Sequence, residues 1–271
     1  MIVNYPRMRR RAAWPSDLDT ALEFASPEVF SISAPKNWDG KIEYTNGSGW
    51  KEWDGSEITS GEIGSNHYIY LRGTGNSKIT GRNSNSVKWS TIGTNIACNG
   101  NIDLLLDYAT VKSGNHPAMA SFCYIYMFSG CTSLTTAPAL PATMLANYCY
   151  ANMFRGCTSL TTAPSLPATT LASGCYNSMF NGCTSLTTAP SLPATTLANY
   201  CYNSMFNGCT KIKLSTTVSG TYTKAYRIPK SGTGTTASNA LNNMFSNTGG
   251  TFKGTPTINT TYYLDKSNTI V

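Results

Sequence analysis

The sequence predicts a mainly β protein: a small N-terminal β-sandwich followed by a solenoid of 26-residue coils. Three observations carry this expectation. "MFRGCTSLTTAPSLPATTLASGCYNS" at 153–178 and "MFNGCTSLTTAPSLPATTLANYCYNS" at 179–204 differ at only three positions, and 127–152 is nearly a third copy. Charged residues make up only 12% of the chain while Thr, Ser, Asn and Gly abound, a texture of extended β-rich proteins and not of helical enzymes. Before residue 95 the text consists of short alternating runs broken by turn residues at about 8–12-residue spacing. A chain of 271 residues with 41% hydrophobic content can bury one large core or two ordinary ones.

The first element, residues 1–21, is a basic arm and linker. Arg7, Arg9, Arg10 and Arg11 carry much of the formal charge of +7, whereas from Met127 to Thr210 the only charged side chain is Arg155. Such an arm can grip an acidic protein surface or phosphates, or stand solvated. Docking onto a protein partner is the reading favoured, ahead of a solvated tail and of nucleic acid. No apolar window of about 18 residues exists, so no membrane span is expected. The opening text lacks the apolar core of a secretory signal. The connector from Ala12 offers Ser16 or Asp17 as a helix N-cap.

Residues 22–95 read as the sandwich. Candidate strands are "LEF" from Leu22, Val29–Ser33, Lys41–Thr45, Tyr68–Arg72, Ser77–Thr80 and Val87–Ser90, with turns at Trp38–Gly40, Asn46–Gly49, Trp53–Gly55 and Gly73–Asn76. Residues 96–126 are expected to form an atypical first coil that covers the end of the solenoid core. The repeats fill 127–215, and 216–271 is expected to cap the other end, with one echo of the repeat, "NNMFSN", at Asn242–Asn247.

Within one unit the apolar positions fit neither a sustained helical nor a strand period, and Pro190 and Pro193 forbid a helix through the middle. A 26-residue unit lies in the length range of leucine-rich repeats. Stacked coils place each residue over its own copy, so a nearly uncharged unit avoids columns of like charge.

The order Cys183-x-x-Leu186, Leu192-Pro193, Leu197 and Met205-Phe206-x-x-Cys209 resembles the BspA-like, or Treponema-type, leucine-rich repeat, with "MF" where that family often has "AF". The wording is similar to surface proteins of gut Bacteroides-type bacteria and to virion proteins of their phages. The resemblance covers about residues 98–250. It implies binding at a virion or cell surface, and it brings no catalytic residues with it. The function expected is a non-enzymatic phage fibre or decoration protein. It would dock to other virion proteins through residues 1–21, in many copies or as a homo-oligomer, and adhere to host glycan or protein. A bacterial cell-surface adhesin of the same family is the alternative, and a glycan-active enzyme a remote one.

Eight of the nine cysteines form two columns, Cys123, Cys149, Cys175, Cys201 and Cys131, Cys157, Cys183, Cys209. Their spacing is not that of zinc ligands. Buried thiols are the favoured reading, with an oxidised ladder left open. No metal, cofactor or catalytic residue is expected. Neither His67 nor His116 stands beside a nucleophile motif with an orienting carboxylate. Glu52, Asp54 and Glu57 read as exposed strand and turn residues, and "GTGNSKITG" lacks the helix start of a phosphate loop. The threonine pairs at 135–136, 161–162 and 187–188 could form a regular array of the ice-binding kind, a remote reading.

Binding residues are sought where copies differ, because packing does not dictate those positions. Tyr148 and Tyr200, with Gly174 between them in register, and Arg155 are the candidates in the repeats; a ligand clasped between the two tyrosines is the expected geometry. Trp50 and Trp53 are the candidates in the β-region, as exposed aromatic anchors.

Overall fold

The structure, a computed structural model, describes residues 14–81, 84–228 and 237–271; the arginines of the arm lie outside the described residues. It is mainly β, with several open sheets. The first strands are β1 (Leu22–Ser26), β2 (Ser31–Ser33), β3 (Lys41–Thr45), β4 (Lys51–Glu52), β5 (Ile58–Thr59), β6 (Gly61–Ile63), β7 (Asn66–Thr74), β8 (Ser90–Ile92) and β9 (Ile96–Asn99). The α1 segment (Leu104–Lys112) follows, broken at Asp107 by a non-helical backbone. Then come β10 (Leu134–Thr136), β11 (Thr188–Ala189), β12 (Lys213–Ser215), β13 (Tyr222–Arg227), β14 (Gly249–Gly250), β15 (Thr261–Asp265) and β16 (Thr269–Ile270).

The alternation seen in the text sorts side chains as expected: β1 buries Leu22, Phe24 and Ser26 on one face. Two sheets, β10-β9-β1-β7-β3-β4 with β6 on β7, and β5-β2-β8, contribute to one hydrophobic core. The α1 segment lies directly on β7, where a Cβ on Gly73 would sit 1.6 Å from the Leu105 carbonyl oxygen, so only glycine fits. Ser77–Thr80 is not a strand, and of Val87–Ser90 only Ser90 enters one.

Both proposed boundaries of the first coil shift. β9 pairs in parallel with β10 of the first repeat, so a cut at residue 95 falls beside a strand of a continuous sheet. The layer beneath the first repeat comes from residues 77–102. The Ile79 and Thr80 N–H groups donate to the Cys123 carbonyl, Trp89 N–H to Met127, and Ile102 N–H to Ala139. The ring of Trp89 meets Phe128 edge-on at 6.0 Å. Residues 96–126 therefore do not form the covering coil by themselves: their first part completes the β-region and their last part already belongs to the first repeat.

The repeats stack through backbone bonds of a regular kind. Tyr148, Tyr150, Asn152, Phe154 and Gly156 donate N–H to carbonyls 25 residues later in the next unit, and the residues between them donate three residues back. Every amide from 148 to 157 is thus paired without forming a helix or a strand. The run needs left-handed backbone every fourth residue, at Tyr148 (φ 55°), Asn152 (φ 56°) and Gly156 (φ 73°), and again at Gly174, Ser178 and Gly182. This is why the glycine of "MFxGC" is copied.

Inside, identical side chains meet their copies. Tyr124, Tyr150, Tyr176 and Tyr202 stack in parallel at 5.6, 6.0 and 5.8 Å between centroids. Phe128, Phe154, Phe180, Phe206 and Phe245 form a second column at 5.5–5.8 Å. Membership of Phe245 shows that 237–247 continues the stack, with Tyr202 donating to Ala240 and Phe206 to Met244. The expected C-terminal cap at 216–271 thus contains a further stacked layer. Beside it lies the sheet β13-β15-β12-β14. The segment 268–271 returns to pair β16 in parallel with β11.

All nine cysteines are free and buried. The Sγ–H groups of Cys157, Cys183 and Cys209 donate to the carbonyls of Phe128, Phe154 and Phe180 in the unit below, at 3.1, 3.0 and 3.0 Å. Burial pushes the Cys149 and Cys183 thiols up to about 12, so they stay protonated and unreactive in the folded protein. Cys183→Ala should lower stability by on the order of 1 kcal/mol, because a small group is lost and the Phe154 carbonyl keeps the Cys157 N–H. Thiol titration should find nine reactive groups in denaturant and none in the native state; fewer than nine in denaturant would point to an oxidised column.

Candidate functional site

The outward slots of the repeats divide into filled and open ones. Tyr200 is exposed, and so is Arg155, whose guanidinium has no hydrogen bond or ion pair among the described residues. Tyr148 differs: it is half-buried and stacks on Phe122 at 5.4 Å with an 11° interplanar angle. Its ring also lies over Gly174, where an added Cβ would come within 2.2 Å of it.

This corrects the clasp. The space over Gly174 is taken by Tyr148 itself: Tyr148 and Tyr200 adopt the same left-handed backbone in this slot, but a side chain at 174 would meet the Tyr148 ring. The outcome is a ridge: Phe122 and Tyr148 form one aromatic step and Tyr200 another. Asn147 and Asn199 flank the two tyrosines. Their Oδ1 atoms accept the Ser173 and Ser238 N–H groups at 3.1 and 2.9 Å, which leaves each amide NH2 without a protein partner among the described residues. An exposed ring beside an amide donor, with few charges around, suits a neutral polar ligand with a flat apolar face.

The tryptophans are not part of this ridge. Trp53 is 1% exposed, stacked on Trp38 at 5.3 Å and edge-on to Trp89 at 5.2 Å. It is a core residue, so its reading as an exposed anchor is wrong; a Trp beside a turn can still point inward. Trp50 is half-buried and structural as well. Its indole N–H donates to Asp17 Oδ1 at 3.0 Å, and its ring carries the Arg72 guanidinium at 4.0 Å. Arg72 also pairs with Asp17 at 2.6 Å and Glu43 at 3.0 Å and lies against Tyr108. The Trp50 N–H, followed by Arg72, holds the Asp17 carboxyl below its ordinary range.

Asp17 thus serves as a clamp: it makes no side-chain cap to the short 3₁₀ turn Leu18–Thr20. Trp14 adds an edge contact to Tyr70 at 5.7 Å. The linker from Trp14 onward therefore belongs to the folded body, and the arm proper ends before it.

Of the acids Glu52, Asp54 and Glu57, the first two are occupied separately: Glu52 pairs with Lys41, and Asp54 accepts the Ser56 N–H in a turn. The threonine pairs do not make a flat exposed array. Thr188 is buried with its hydroxyl on the Ala163 N–H, and the Thr135 and Thr187 hydroxyls bond backbone carbonyls.

One polar pair was missed. His116 does have an orienting carboxylate: its Nδ1 lies 3.3 Å from Asp103 Oδ2, while the Tyr124 hydroxyl donates to Oδ1 at 3.3 Å. Asp103 is 1% exposed, and burial raises its pKa against the lowering effect of His116. The pair is thirteen residues apart with no motif between; its only sequence signal is an acid running into the apolar "LLL".

Among the described residues no three His, Cys, Asp or Glu side chains converge as metal ligands, and no helix is long and apolar enough to cross a membrane. No family model, curated protein or solved structure matches the chain.

Proposed function

We propose that this chain is a non-enzymatic adhesion module of a phage virion surface, a fibre or decoration protein whose units form a BspA-like leucine-rich-repeat solenoid. The observation that carries the reading is the division of each unit. Inward columns of Cys, Tyr, Phe and Met are copied and meet their own copies, whereas the outward slots at Tyr148, Gly174, Tyr200 and Arg155 vary. A stack with a constant interior and a varied exterior supports a rod that presents contacts at fixed spacing, and linked weak contacts add through avidity. The ligand favoured is a host-surface glycan, because the ridge pairs tyrosine faces with amide donors and carries little charge. The virion assignment rests on the resemblance of the repeat wording. The same ridge would serve a bacterial cell-surface adhesin, so the arm separates the two.

On this proposal residues 1–13, with Arg7, Arg9, Arg10 and Arg11, dock the module to other virion proteins. Because Trp14 and Asp17 are packed against Tyr70, Trp50 and Arg72, removing residues 1–13 should abolish incorporation into the parent particle while leaving melting unchanged. Removing 1–21 should also lower the melting temperature. Normal incorporation of the shorter truncation would refute the docking role.

A further inference from the structure

A cleft of about 390 Å³ is lined by the segments 116–119 and 142–146 and includes none of the ridge residues. Three side chains in its walls carry nitrogen or sulfur donors: His116, Met119 and Met144. Met144 is 85% exposed, the most exposed large apolar side chain among the described residues, and it takes no part in the core. Packing does not ask for methionine there. The same slot in the next two units holds Thr170 and Thr196, which shows that the coil closes with a small polar residue. Met119 in turn occupies the slot of Leu145, Leu171 and Leu197, so a thioether stands in a leucine position one layer below Met144. Both departures from the repeat fall in a cleft that also contains a histidine.

The histidine is held for ligation. Its Nδ1 lies 3.3 Å from Asp103 Oδ2 and donates there in the tautomer that leaves Nε2 free to ligate; Asp103 is itself buried and bonded by Tyr124, and Nε2 has no hydrogen-bond partner among the described residues. A carboxylate on the far nitrogen is the arrangement that sets tautomer and ring orientation in metal-binding histidines, and it raises the donor strength of Nε2. One imidazole with two thioethers is a soft donor set. It favours Cu(I) and its analogue Ag(I) over Mg²⁺, Ca²⁺ or Mn²⁺, which need oxygen ligands.

We infer that His116 Nε2, Met119 and Met144 form a binding site for a soft monovalent cation. The site is independent of the adhesion reading, since it uses none of the ridge residues.

The test uses the full chain carrying ¹³C-labelled methionine methyls and Ag(I) as the probe. Of the nine methionine signals, those of Met119 and Met144 should move, saturating at one equivalent. In competition with a Cu(I) chelator, Met144→Thr should weaken Cu(I) binding by about tenfold or more while melting stays unchanged. Threonine is the residue the next two units carry, so this variant keeps the fold. Equal affinity in Met144→Thr would overturn the site. So would shifts centred on Met127, Met153, Met179 or Met205, which would mean that the metal had entered the buried thiol columns.

Discussion

Replacing Phe180 by alanine is expected to lower stability by about 3–5 kcal/mol. The ring is completely buried and stacked on both faces, against Phe154 at 5.8 Å and Phe206 at 5.7 Å. Its removal opens a cavity that cannot collapse, because the backbone bonds from Phe154 to Met179 and from Phe180 to Met205 hold the units at fixed separation. Two neighbouring rings also lose a stacking partner, worth about 0.5–1.5 kcal/mol each beyond burial. Denaturant melts of wild type and variant measure the loss. A drop below about 1 kcal/mol would mean that the column is not a packed interior.

Asn268→Ala should be nearly as damaging, although Asn268 lies outside the repeats. Its side chain is completely buried and makes three bonds to backbone: Oδ1 accepts the Lys213 N–H at 2.9 Å, and Nδ2 donates to the Thr187 and Lys211 carbonyls at 3.0 and 2.8 Å. It joins the third unit, the fourth unit and the segment 268–271. Each buried group left without its partner costs about 1–3 kcal/mol. With partial relaxation, the expected total is about 3 kcal/mol. β16 should detach from β11, so amide exchange at Thr269 and Val271, which donate to Thr187 and Ala189, should accelerate far more than exchange in the phenylalanine column. Unchanged exchange at these two amides would show that the segment is held by something else.

The stacked interior was legible because copying reveals it. Cys183, Leu186, Phe180 and Met179 cannot drift when each must fit its own copy above and below. The backbone path between them was not legible. A left-handed residue every fourth position is announced by Gly156 and Gly182, but Tyr148, Asn152 and Ser178 adopt it unannounced, under the constraint of bonds to the next unit. Nor does the sequence show that the place of the missing side chain at Gly174 is filled by the Tyr148 ring, which crosses it.

The coil beneath the first repeat escaped notice because residues 77–102 share no wording with the unit they imitate. They match it through backbone bonds and through Trp89 and Ile79, not through text. Partnerships distant in sequence, such as Asp103 with His116 or Asp17 with Trp50 and Arg72, were likewise set by the tertiary fold.

The adhesion reading turns most directly on attachment of the fluorescent protein, displayed in many copies on a bead, to a panel of gut bacterial strains. Tyr200→Ser is the informative variant: the ring is exposed and has no stacking partner among the described residues, so melting should move by no more than about 0.5 kcal/mol. Tyr148→Ser is less clean, since it also breaks the stack on Phe122. Strain-restricted attachment by the wild type, lowered about tenfold or more in Tyr200→Ser and weak for the single-copy protein, is the expected result. Equal attachment by wild type and Tyr200→Ser would contradict the assignment of binding to the outward slots of the repeat.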